Sequence, residues 1–148
     1  MPDDTKTQWL TFHVGNECFA IHVKHICELY NRQPVTAVLG ASDYIEGMLF
    51  HRGTPLCVLN AAKRLNIETD QASNLFIVMD SEQTTFALAV DSVGEVCTFP
   101  PDSHQDAFSG YDRAVSGIRI TANGMVTTLN PEYLLEDNDR LTKEKRPC

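Results

Sequence analysis

The chain lacks most of the features that would tie it to a membrane or to a known reaction centre. No apolar run approaches the roughly 20 residues a bilayer-spanning helix needs, so membrane insertion is not expected. The opening MPDDTKTQWL has neither a basic start nor an apolar stretch, which argues against a secretory signal and for a cytoplasmic protein. A GxSxG elbow, a P-loop, a GxGxxG turn and an HExxH helix are all missing. So is any CxxC pair. The five cysteines, Cys18, Cys27, Cys57, Cys97 and Cys148, are odd in number and fit reduced thiols better than a disulfide framework. Basic residues are scarce, with 12 Lys and Arg against 20 Asp and Glu and a net charge of −8. They are scattered except at the tail, so nucleic acid is not the expected partner. An acidic surface would instead steer a basic protein.

What is present is a globular composition in 148 residues, with 43% hydrophobic side chains. That is room for one ordinary domain, or for two very small barrels sharing a core. Self-similarity points to the second arrangement. Residues 19–29, FAIHVKHICEL, align with 86–96, FALAVDSVGEV, at an offset of 67. Residues 47–65, GMLFHRGTPLCVLNAAKRL, align with 117–135, GIRITANGMVTTLNPEYLL, at an offset of 70. Two ordered matches imply two structural copies, roughly 9–65 and 75–135, within a single domain spanning 1–148. A charged tail, 136–148, follows.

Each copy has the pattern of β-structure. WLTFHV at 9–14 alternates apolar and polar, Gly15-Asn16 makes a turn, and the alternation resumes over 17–23. LFIVMD at 75–80 is a continuous apolar run, expected of a strand buried on both faces. Short runs at 44–50, 54–59, 115–121 and 125–129 bring the total to about five strands per copy. Helical pattern is confined to 60–66 and 131–136. Closure into barrels would remove exposed sheet edges, and neither half would bury much alone.

The five histidines do not form a convincing metal site. His22 and His25 would point to opposite faces of a strand, and their spacing from Cys18 and Cys27 departs from zinc patterns. His51 and Cys57 are the nearest nucleophile pair, but Cys57 falls in an apolar strand where its thiol would be inert. Asp80 and Asp91 sit near turns, where Asp usually serves the backbone. No cofactor is expected, and the chain reads as a non-catalytic interaction module.

Several segments resemble the CheW-like family. Phe19-Ala20-Ile21-His22-Val23-Lys24-His25-Ile26-Cys27-Glu28-Leu29 is similar to its conserved Φ-A-I-x-[IV]-x-x-[IV]-x-E-[IL] stretch. Gly47-Met48-Leu49-Phe50-His51-Arg52-Gly53 and Cys57-Val58-Leu59-Asn60-Ala61 match the later G-Φ-x-N-L-R-G and P-V-x-D-L segments. The resemblance runs from about residue 8 to 136. It implies an all-β fold of two intertwined five-stranded Src-homology-3-like barrels with short helices. It also implies an adaptor that couples the cytoplasmic tips of methyl-accepting chemoreceptors to the regulatory domain of a CheA-type histidine kinase, in the cytoplasm at membrane-associated arrays. The family's receptor-facing groove uses the residues matching Ile26, Glu28 and Arg52. A scaffold diverted to pilus-based motility or to a polar localisation complex is the alternative.

The chain departs from the family pattern near that groove. Phe50-His51 replaces Asn-Leu before Arg52-Gly53. Cys57 stands where a proline is usual, with Pro55 two places earlier. Asn60 and its counterpart Asn130 are neutral where Asp is usual, and Ala61-Ala62 replaces Leu-Arg. His51 could confer pH sensitivity on an interface at this place.

Overall fold

The computed structural model describes residues 7–82, 84–100, 104–106 and 112–136, with backbone only for 104–106. The expected tail therefore lies outside the described residues from 137 onward, as does Cys148. Eleven strands are present among the described residues. They are β1 (Trp9–Val14), β2 (Glu17–His22), β3 (Ile26–Asn31), β4 (Ile45–His51), β5 (Thr54–Asn60), β6 (Leu75–Asp80), β7 (Thr85–Val90), β8 (Ser92–Cys97), β9 (His104–Asp106), β10 (Val115–Thr121) and β11 (Gly124–Leu129). Helical structure is limited to α1 (Ala61–Arg64) and to 3-10 turns at Val23–His25 and Pro131–Tyr133.

Local sequence explains the hairpins. In β1 the alternation turns Leu10, Phe12 and Val14 inward, and a two-residue loop at Gly15-Asn16 leads into β2. Gly15 has φ 60, the left-handed region where glycine carries no Cβ penalty. The side chain of Asp91 accepts the Gly15 amide at 2.7 Å, the backbone role expected of an Asp beside a turn. Gly47 is held more tightly: its φ is 146, and a Cβ there would lie 2.0 Å from the Thr36 carbonyl oxygen. Thr36 bridges Met48 across that contact.

The strands form two sheets whose members alternate between the halves of the chain. One runs β8-β1-β2-β11-β10-β9 and the other β3-β6-β7-β5-β4. The hairpin β1–β2 thus joins strands from the C-terminal half, and β6–β7 joins strands from the N-terminal half. This is the intertwining of two Src-homology-3-like barrels. One sheet gains a sixth strand, because β9 pairs along the free side of β10. The crossed connections are the two parallel pairings. In one, Cys57 opposes Phe86; in the other, Thr127 opposes Phe19. Thr127 lies 70 residues after Cys57 and Phe86 lies 67 after Phe19, the two offsets that align the sequence blocks.

Burial separates into three regions. The largest joins both sheets through Phe12, Phe19, Ile21, Leu59, Ile77, Met79, Phe86, Leu88 and Val90. A second fills the β3–β7 sheet with Leu49, Leu56, Val58, Phe76, Val78, Ala87 and Ala89. A smaller third has Ala20, Phe99 and Val126 under Trp9. The continuous apolar runs follow from this arrangement. Strand β7 is buried at all six positions because it sends Phe86, Leu88 and Val90 into the shared core and Ala87 and Ala89 into one barrel.

A buried arginine fastens the C-terminal segment to α1. The Arg64 guanidinium donates to the Leu134 carbonyl at 2.5 Å, to the Tyr133 carbonyl at 2.7 Å and to both oxygens of Asp112. Burial is the largest single influence on this guanidinium and opposes its charge, but the Asp112 hydrogen bond and the charges of Asp112 and Glu136 together hold it above its ordinary pKa. That same bond holds the Asp112 carboxyl below the usual carboxylate range.

Candidate functional site

Strands β3 and β4 are the two edges of the five-stranded sheet, and side chains bridge the seam between them. From β3, Glu28 and Tyr30 lie on one side of the strand, two residues apart as the pleat requires. Glu28 meets His51 at the end of β4 and Arg52 in the following turn. Its Oε2 is 2.8 Å from His51 Nε2, and its Oε1 accepts from Arg52 at 3.0 Å. Farther along, Arg32 forms a two-pronged ion pair with Glu46 of β4 and donates to the Ser73 carbonyl at 3.1 Å. The seam is thus closed by charge-assisted bonds between side chains.

The environments of the three grouped residues differ. The Arg52 side chain is 76% exposed, against 28% for Glu28 and 20% for His51. Arg52 also has φ 54, the left-handed conformation that lets the β4–β5 turn close. An exposed pair of this kind is worth only about 0.2–1 kcal/mol. His51 is pinned instead. Its ring stacks on Tyr30 with centroids 4.6 Å apart and planes 7° from parallel, and Phe76 supports Tyr30 edge-on at 5.5 Å.

Three of the four residues expected at the site, Glu28, His51 and Arg52, are therefore brought into one bonded cluster. Ile26 stands apart from it, half-buried at the head of β3 and packed on the shared core. Sequence reasoning missed Tyr30, and it named Phe50 only as a departure from the family pattern. Tyr30 was legible as the next residue on the Glu28 side of the strand. Its hydroxyl is buried with no hydrogen-bond partner, and burial, with Glu28 adding to it, pushes its pKa up to about 12. Phe50 is 73% exposed and paired across the hairpin with Pro55. An apolar residue in a strand reads as core, and only the register turns this one outward.

Other candidates resolve differently. Cys57 faces the shared core while His51 faces the seam, so no nucleophile pair forms between them. His22 and His25 do come together, with ring centroids 6.1 Å apart, because Val23–His25 is a 3-10 turn and not the strand assumed. In such a turn residues three apart eclipse. His22 Nδ1 accepts the Lys24 amide at 3.1 Å, so that lone pair is committed to the cap. Among the described residues no group of three or more His, Cys, Asp or Glu is placed to hold a metal ion. Cys27 is disulfide-bonded, contrary to the expectation of reduced thiols; an odd count does not preclude one bridge. Asn60 and Asn130 are helix and turn caps. Their side chains accept the Lys63 amide at 3.0 Å and the Glu132 amide at 3.1 Å, a task for which a neutral amide serves as well as a carboxylate.

The fold has counterparts among known proteins. The CheW-like domain family model matches residues 8–139. The chain belongs to the CheW-like family. Its relatives include the chemotaxis protein CheW of Rhizobium meliloti, 21% identical over 137 residues and matched over 88% of each chain. The chemotaxis protein CheW of Treponema pallidum is 23% identical over 100 residues, covering 64% of this chain and 59% of that protein. The crystal structure of the scaffolding protein TtCheW from Thermoanaerobacter tengcongensis superposes with a TM-score of 0.81 at 20% identity, over 92% of this chain and 97% of that one. The fold is thus that of CheW, and membership in the CheW-like family gives the chain the role of a chemotaxis coupling adaptor. No helix among the described residues is long and apolar enough to cross a membrane.

Proposed function

We propose that this protein couples methyl-accepting chemoreceptors to a CheA-type histidine kinase, as a non-catalytic cytoplasmic adaptor without a cofactor. We further infer a single domain made of two copies, 9–65 and 75–135. The observation that carries the coupling reading is the Glu28–His51–Arg52 cluster. Two residues matching the family's receptor-facing positions are bonded together at the seam, and one of them is an exposed guanidinium. A receptor tip is a helical hairpin. In the proposed docking, the surface around this cluster takes the apolar ridge of a helix while Arg52 and Glu28 set its register through charge-assisted bonds. Ile26, half-buried at the head of the same strand, is the apolar residue we assign to that docking surface.

The test is calorimetric titration of the protein against a kinase regulatory domain and, separately, against a receptor-tip hairpin. Micromolar binding to both, with the receptor affinity reduced by Arg52→Ala at an unchanged melting temperature, is the expected outcome. Failure to bind either would sink the coupling role. A second reading, a scaffold diverted to pilus-based motility or polar localisation, draws on Phe50: a large apolar side chain exposed beside Pro55 suits a protein partner other than the usual kinase. Micromolar kinase binding that Phe50→Ser weakens would count against it.

A further inference from the structure

We propose that His51 is a positioning residue: it keeps the Glu28 carboxylate satisfied when Arg52 swings away to take a carboxylate on the docking partner. The inference rests on the receptor-groove reading above. Glu28 divides its two oxygens between partners of opposite character. Oε2 lies 2.8 Å from the pinned His51 ring, and Oε1 lies 3.0 Å from a guanidinium that is 76% exposed. One partner of Glu28 is fixed by stacking on Tyr30, and the other is tethered by a single contact at the tip of a turn. An arginine fork released from that contact fits a carboxylate bidentately. Phe50, two residues earlier in the chain, is a large exposed apolar side chain of the same hairpin. The partner so described is a helix that presents a carboxylate next to apolar side chains.

A partly buried carboxylate that loses a donor is destabilised unless another remains. His51 is that remaining donor, and in the docked state it serves as imidazolium. The groups facing it are Glu28 and the Tyr30 ring from β3 and Arg52 from its own turn, while Arg32 and Glu46, next along the seam, bond to each other. The Tyr30 hydroxyl stays protonated throughout the physiological range. Histidine is the only residue type in this set whose charge ordinarily changes between about pH 5 and 8. Departure of Arg52 removes a cation from Glu28 and favours a second one at His51, so docking is accompanied by proton uptake. By linkage, affinity rises as pH falls through that window.

The experiment is calorimetry of the intact protein with a receptor-tip hairpin, near neutral pH, in two buffers of different ionisation enthalpy. Wild type is expected to take up protons on binding, and its affinity to increase severalfold from about pH 8 to about pH 6. His51→Gln keeps a neutral donor to Glu28; it is expected to bind with less proton uptake and a flatter pH profile. If wild type takes up no proton, or His51→Gln takes up as many, while Arg52→Ala still weakens binding, the His51 role is overturned and the groove stands. If Arg52→Ala leaves affinity unchanged, the groove reading falls and this inference falls with it.

Discussion

Replacing Phe86 with alanine tests whether the two sheets share one core. Phe86 is fully buried on β7, the middle strand of its sheet, flanked by Met79 on β6 and Cys57 on β5. Its ring enters the cluster that also holds Phe12 and Phe19 from the other sheet. Paired strands on both sides leave the backbone little freedom to collapse into the space vacated. The loss therefore combines the transfer free energy of the ring with a cavity term, about 3–5 kcal/mol for Phe→Ala. For a domain of this size each kcal/mol lowers the melting temperature by about 2–4 °C, so a drop of roughly 6–20 °C is expected. Urea unfolding provides the assay, followed by far-UV circular dichroism and by the fluorescence of Trp9, the single tryptophan. Trp9 packs against Phe99, which follows β8 beside its own sheet, in the small cluster with Ala20 and Val126, so it reports on a region that Phe86 does not touch directly. Both probes should shift together, because a shared core makes the sheets unfold as one unit. A loss well below 1 kcal/mol, or a Trp9 transition that stays put while the dichroism moves, would refute the shared core and remove a support of the two-copy proposal.

Three further outcomes are expected. Tyr30→Phe removes a buried hydroxyl that has no partner while preserving the ring stack on His51, so stability measured in urea should be unchanged or raised by up to about 1 kcal/mol; a clear loss would mean the hydroxyl has a role. Asp112 has its folded-state pKa depressed by Arg64, so its contribution to stability is present above the unfolded carboxyl value and is lost as pH falls through the lower folded one. Asp112→Asn should accordingly be less stable than wild type near neutrality, with the gap narrowing on acidification below about pH 4; a gap independent of pH would contradict the ion pair. Arg52→Ala should weaken receptor-tip binding by roughly tenfold or more with an unchanged melting curve, since the side chain is exposed and contributes no core volume; lowered stability would mark it as structural.

Much of the fold was legible because period-two patterning and turn chemistry are local properties. The hairpin at Gly15-Asn16, the doubly buried run of β6 and the short helical segments after β5 and β11 follow from neighbours in the chain. Strand β9 was not foreseen, since three residues of edge strand carry too little pattern to stand out. The 3-10 turn at Val23–His25 also escaped, because its apolar positions fit a continued strand equally well.

Glu28 and Arg52 were recognisable as site residues only through resemblance, since one charge on a strand and another in a turn carry no signal of proximity. Their meeting is a long-range event. It requires β3 and β4, at opposite edges of a five-stranded sheet, to curve until their side chains touch. The stacking of His51 on Tyr30 and the outward turn of Phe50 arise in the same way, from register and closure. What the sequence alone determined, then, was the set of strands, their turns and the repetition of the pattern, all governed by interactions a few residues long. Which strands exchange between sheets, and which charges become partners, was decided only in the folded chain, where burying the apolar faces of both halves in one core leaves a single way to close the seam.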